Sequence, residues 1–109
     1  MKMKMIIAVL NADDSAVVSH NLMKNGYSMT KLATTGGFLR AGNVTILVGV
    51  EEDRLQGAID IIKENSHSRK QIMAPSTEPG MNLYPTMPIE VVVGGAAIFV
   101  LDVDHFEKV

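Results

Sequence analysis

Three stretches of this chain are apolar at both parities: Ile6 to Leu10, Val44 to Val50 and Ala96 to Val103. A strand whose even and odd residues are both apolar must be covered on both faces, because alternate side chains point to opposite sides of a sheet. With 109 residues, the length fits a single domain spanning residues 1–109 and leaves no room for a second core. The residues between the apolar runs set the rest of the plan. Met3 to Leu10 reads as a strand ending in Asn11, and Asp13-Asp14-Ser15 supplies N-cap candidates and the acidic charge a helix N-terminus favours. Val18 and Leu22 share one helical face, and Lys24-Asn25-Gly26 is a basic last turn with a glycine stop. Tyr27 to Thr34 reads as a second strand, Thr35 to Asn43 as a glycine-punctuated connection and Val44 to Val50 as a third strand. Glu51-Glu52-Asp53 opens a second helix, on which Leu55, Ala58, Ile59 and Ile62 form the stripe of 3.6-residue period. Residues 66–88 lose periodicity and carry all four prolines, Pro75, Pro79, Pro85 and Pro88, as a long proline-containing loop of the kind that is usually functional. Ile89 to Val93 and Ala96 to Val103 close the chain as strands around Gly94-Gly95.

The first six elements of the order β-α-β-β-α-(loop)-β-β, through Ile89 to Val93, match an α+β, ferredoxin-like fold: a split βαβ antiparallel sheet with two helices on one face. Two helices leave the other face bare, yet the doubly apolar strands ask for cover on both. A second copy of the same sheet is the simplest cover, and a homo-oligomer follows as an expectation.

Composition narrows the function. A net charge of -2 gives no basic footprint for a nucleic-acid polymer or an anionic membrane. No apolar run reaches the roughly 18–20 residues of a membrane helix, and the Met-Lys-Met-Lys-Met start lacks the form of a secretion signal, so the expected location is cytoplasmic. The absence of cysteine excludes disulfides, thiolate metal sites and cysteine nucleophiles. His20, His67 and His105 show no paired metal-ligand spacing, and Asp102, Asp104 and His105 read as a solvated tail. There is no G-x-S-x-G, H-E-x-x-H or G-x-x-x-x-G-K-[ST] motif. The expectation is a protein that is not an enzyme and uses no metal or cofactor.

The stretch richest in recognition chemistry is Thr34 to Asn43. Gly36-Gly37 lets the backbone turn its N–H groups toward an anion, Thr30, Thr34 and Thr35 add hydroxyls, and Arg40 offers a fork suited to phosphate. Phe38 and Leu39 are apolar loop residues that a flat base would cover, a stacking worth about 1–3 kcal/mol. The Asn43 amide presents a donor beside an acceptor, matching an adenine edge. A nucleotide site and a plain tight hairpin, with Phe38 packed on a neighbouring subunit, are both compatible with these residues.

The segment K-L-A-T-T-G-G-F-L-R-A-G-N, Lys31 to Asn43, closely resembles the signature of the PII-like cyclic-di-AMP receptors. V-G-V at Val48 to Val50 and E-V-x-V-G-G-A-x-x-F-V-x-x-V-D-x-F from Glu90 to Phe106 fit the same family, and the resemblance runs from Met3 to the C-terminus. It implies a homotrimer that binds cyclic-di-AMP between subunits and signals to an unidentified downstream protein through the ordering of its loops. By the same resemblance the ligand residues are Ser28, Met29, Thr30, Gly37, Phe38, Leu39, Arg40, Asn43, Gly49, Phe99 and Lys108. Thr30 and the backbone of Gly37, Phe38 and Leu39 would surround the phosphates and the buried base, and Asn43 and the Gly49 carbonyl would read adenine. Phe99 and the tail would close the site from an adjacent subunit. Two positions depart from the family pattern: Ser28 stands where arginine is frequent and Lys108 where glutamine is, so one cation is lost and the tail supplies another. The alternatives are a PII-like sensor of ATP or ADP, a relative of the divalent-cation-tolerance trimers, and a trimeric protein-interaction module without nucleotide.

Overall fold

The computed structural model describes residues 2–32, 42–73 and 89–109. The first strand, β1 (Met3–Asn11), runs into helix α1 (Ala12–Lys24) through Asn11, whose side-chain oxygen accepts from the Asp13 N–H at 2.9 Å. The cap is therefore Asn11 and not the expected Asp13-Asp14-Ser15. Asp13 and Asp14 fill the first turn, where carboxylates meet the positive end of the helix dipole. Ser15 donates its hydroxyl to the Ala12 carbonyl at 2.9 Å. Past the C-cap Asn25, Gly26 takes φ +82° and turns the chain into β2 (Ser28–Leu32).

Strand β3 (Asn43–Glu51) leads through a 3₁₀ turn (Glu52–Arg54) into helix α2 (Leu55–Ser66). The acidic triplet thus ends β3 and forms the 3₁₀ turn, and the helix starts later than its charge suggests. Three strands follow: β4 (Arg69–Met73), β5 (Ile89–Val93) and β6 (Ala96–Val103).

The main sheet has the order β2-β3-β1-β6 and every pairing in it is antiparallel, the ferredoxin-like arrangement expected. Its fourth place is taken by β6. Strand β5 does not enter this sheet; it pairs with β4 in a separate two-stranded ribbon. Strand β4 falls where the sequence shows only a long loop, because Arg-Lys-Gln-Ile-Met has no alternating pattern and its partner lies beyond the prolines. Residues 74–88 of that expected loop lie outside the described residues.

Register fixes the two faces. Ile6 lies opposite Val48 and Val100, while Ile7 lies opposite Leu47 and Phe99. Ile6, Ala8, Leu10, Ile46, Val48 and Val50 pack beneath the helices with Val18, Leu22, Ala58 and Ile62, and this is the core. Burial of each such Ile, Leu or Val side chain contributes about 1.5–3 kcal/mol. The opposite face carries Met3, Met5, Ile7, Val9, Leu47, Phe99 and Leu101 and bears no helix. Phe99 is 57% and Leu101 48% exposed there, so among the described residues nothing covers the apolar side chains that demanded a second cover.

The ribbon is tied to the body at its root. The Arg69 guanidinium forks onto Asp14, with Nη2 to Oδ1 at 2.9 Å and Nη1 to Oδ2 at 3.4 Å, and Nη1 also donates to the His67 carbonyl at 3.3 Å. Gly94 and Gly95, at φ +78° and +97°, turn the chain between β5 and β6, and the Gly95 N–H donates to the Ser66 carbonyl at 2.6 Å. A Cβ on Gly94 would stand 2.6 Å from Arg69 Nη1 and 3.0 Å from the His67 carbonyl oxygen. The glycine leaves room for the ion pair as well as for the turn.

Candidate functional site

On the open face, the cross-strand pairs Ser28–Gly49 and Thr30–Leu47 place two hydroxyls beside an apolar floor. The C-terminal tail returns over this end of the sheet and sets Phe106 against it. The result is a cleft of about 250 Å³ lined by Met3, Met5, Ser28, Met29, Thr30, Leu47, Gly49 and Phe106, with Lys4 and Val103 at its margin. Among the described residues nothing lies within 4 Å of where a Gly49 side chain would project, so the glycine keeps the floor low. Ser28, Gly49 and Phe106 also border a second, contiguous cleft of about 440 Å³, to which Tyr27, Glu51, Arg54 and Lys108 contribute. Clefts that share walls can take two parts of one extended ligand.

Lys4 is engaged at the margin. Its ammonium pairs with Asp102, its cross-strand neighbour on β6. The hydrogen bond from Lys4, and then its charge, hold the Asp102 carboxyl below the ordinary value of 3.8 against a smaller opposing effect of burial. The same hydrogen bond raises Lys4 above 10.5. Asp102 is thus drawn toward Lys4, while His105 Nε2 lies 3.2 Å from Glu107 Oε1. Among the described residues no three His, Asp or Glu side chains gather as a metal site, and no helix is long and apolar enough to cross a membrane.

The residues picked out in the sequence are distributed as follows. Ser28, Met29, Thr30 and Gly49 line the first cleft, and Ser28, Gly49 and Lys108 the second. Phe99 shares a cross-strand row with Thr30, through Ile7 and Leu47, but stands three strands away, about 14 Å at the usual strand spacing. Asn43 pairs with Asn11 at the opposite end of β3 from Gly49, roughly 20 Å along the strand. Gly37, Phe38, Leu39 and Arg40 lie outside the described residues. Sequence reasoning missed Phe106, Tyr27 and Arg54. Phe106 had a signal, being one of only three phenylalanines in the chain and placed in a polar tail.

The fold is PII-like: the structure is similar to Arabidopsis thaliana PII bound to citrate, with a TM-score of 0.54 and 20% identity over 94% of this chain and 75% of that one. It is also similar to the crystal structure of a functionally unknown protein from Pediococcus pentosaceus, with a TM-score of 0.81 and 39% identity over 100% of this chain and 99% of the other. Residues 3–109 match the family model of the cyclic-di-AMP receptor, and the chain belongs to that family.

Proposed function

We propose that the protein is a receptor that binds cyclic-di-AMP at the clefts around Ser28, Thr30 and Gly49, at the interfaces of a homotrimer. The family match carries the ligand class, and the convergence of these three residues on an uncovered apolar sheet face supports the place. The Ser28 and Thr30 hydroxyls act as donors to phosphate oxygens, Leu47 gives apolar wall, Met29 borders the cleft while its side chain packs on the core, and Lys108 supplies charge from the tail. In this reading Gly37, Phe38, Leu39 and Arg40 close over the base and phosphates.

Distances within the chain bear on the assembly. Phe99 is too far from Thr30 to meet the same nucleotide from the same chain, which favours its contribution from a neighbouring subunit. Asn43 and Gly49 are likewise too far apart to grip one adenine from the same chain, so they serve different bases of the dinucleotide or different subunits. Signalling then needs no chemistry. Ligand favours the conformation of the 35–43 segment that binds it better, and the affinity difference sets the size of the response read by a downstream protein.

Calorimetric titration with cyclic-di-AMP, with ATP and cyclic-di-GMP as controls, tests the reading. Micromolar or tighter binding, selective for cyclic-di-AMP and near one ligand per subunit, is the expected result. Binding of ATP alone would make the protein a general PII-like nucleotide sensor, and silence toward all three would remove the nucleotide. A Lys108→Ala protein that binds as well as the parent would take the tail cation out of the site.

A further inference from the structure

The strand that carries Ser28 and Thr30 is weakly held by the sheet. Among the described residues, strand β2 is an edge of five residues, paired only with β3. Its root is anchored from the opposite side. Successive side chains alternate across a strand, so Tyr27 points toward the helices where Ser28 points to the cleft, and Tyr27 packs against the core. The Tyr27 hydroxyl donates to the Arg54 carbonyl at 3.2 Å, and the Arg54 guanidinium covers the Tyr27 ring at 4.3 Å from its centroid. The same guanidinium donates to the Asn25 carbonyl at 2.9 Å and the Gly26 carbonyl at 3.5 Å, gripping the turn that leads into β2. Gly57, in the first turns of α2, completes the seat: a methyl group there would overlap the Tyr27 hydroxyl. Gly57 has no positive φ, so the backbone does not require glycine, and alanine is the better helix former. What the position requires is room for Tyr27.

We propose that Tyr27, Arg54 and Gly57 form a positioning lock that fixes the root of β2 and so sets where Ser28 and Thr30 stand in the nucleotide cleft. The inference rests on the proposed cleft for its effect on ligand, but not for its effect on β2. Tyr27 and Arg54 also border the second cleft, whereas Gly57 lines neither, so Gly57 and the exchange of β2 separate positioning from direct contact. Opening the lock lowers the fraction of molecules whose β2 is correctly placed, and the apparent affinity falls by that fraction.

The test uses Gly57→Ala, Tyr27→Phe, their double variant and Arg54→Ala, a truncation of an exposed side chain that leaves the core intact. Each is titrated with cyclic-di-AMP, and amide hydrogen exchange is followed at residues 28–32. Gly57→Ala is expected to weaken binding roughly three- to tenfold and to speed exchange in β2, with no matching loss of thermal midpoint because alanine favours the helix. Arg54→Ala should act in the same direction. In the double variant the phenyl ring fits beside the new methyl group, and affinity and exchange return to those of Tyr27→Phe alone. Unchanged exchange in Gly57→Ala and Arg54→Ala, or a double variant no better than Gly57→Ala, overturns the lock. If the parent protein does not bind cyclic-di-AMP, the proposed function fails and the exchange measurement alone decides the inference.

Discussion

Replacing Gly94 with alanine perturbs the ribbon root at two points, and their magnitudes can be worked separately. The first is backbone strain: Gly94 sits at φ +78°, where an L-residue with a Cβ costs about 1–2 kcal/mol. The second is displacement of the Arg69 fork, since the new methyl group would meet Arg69 Nη1 at 2.6 Å, the His67 carbonyl oxygen that the fork also engages at 3.0 Å, and Asp14 Oδ2 at 3.1 Å. The Asp14 side chain is only 8% exposed but Arg69 is 43% exposed, so solvent screening limits the loss to the lower end of the 1.5–3 kcal/mol range for a charged hydrogen bond. Together they give about 2–4 kcal/mol. At a urea slope of about 2 kcal/mol/M, the unfolding midpoint falls by about 1–2 M. Gly95→Ala is the internal control. It has φ +97°, but its Cβ would meet only Ser68 Cβ, at 3.6 Å, so it bears the backbone cost without the displaced ion pair. The expected order of destabilisation is Gly94 above Gly95. Equal midpoints for the two variants, or a Gly94→Ala protein that unfolds with the parent, would refute the reasoning about the Asp14–Arg69 pair.

Three further outcomes are expected. Because Lys4 holds the Asp102 carboxyl below 3.8, the pair's contribution to stability is present above the unfolded carboxyl's pKa and disappears as pH falls through the lower folded value. NMR titration of Asp102 should show this depressed transition, and Lys4→Met should return it to the ordinary range. Ile62→Ala removes a fully buried side chain beneath α2 and should cost about 2–5 kcal/mol in urea unfolding, while a loss under 1 kcal/mol would argue that the site collapses on the vacancy. Asn43→Ala should weaken cyclic-di-AMP binding by about 1–3 kcal/mol, the magnitude of a lost bidentate base contact, and an unchanged dissociation constant in calorimetry would exclude Asn43 from the site.

The helices and three of the four strands of the main sheet were legible, because the strands are dense in β-branched and aliphatic residues and the helices carry clean stripes such as Leu55, Ala58, Ile59 and Ile62, but the fourth place belongs to β6 and not to Ile89–Val93. The apolar parity of Ala96 to Val103 also announced a face needing cover, and Phe99 and Leu101 stand exposed on it. What escaped was whatever depends on distant pairing. Arg69–Met73 becomes a strand only because Ile89–Val93 returns beside it, and no local pattern in Arg-Lys-Gln-Ile-Met signals that. Asn11 was overlooked as a cap because it reads equally well as the end of a strand, and its side chain decides the matter only once the turn exists. At the proposed site, Ser28, Thr30 and Gly49 came from the family resemblance, and in the sheet Ser28 lies opposite Gly49 and Thr30 opposite Leu47. Tyr27 and Arg54 escaped because what brings them together is a contact between residues 27 positions apart, which no local pattern announces.

The place of β6 also has a consequence for how the molecule comes into being. Strand β1 is paired along one edge with β3 and along the other with β6, so its second row of backbone partners is made only after everything from Ala12 to Gly95. During synthesis β1 waits with one edge and its neighbouring apolar side chains exposed, and the sheet cannot be completed until residues 96–103 have been made. Such long-separation pairing slows folding, because the loop-closure entropy is lost before the contacts form. A nascent chain halted before β6 would present an unpaired, apolar β1 edge to any other strand within reach.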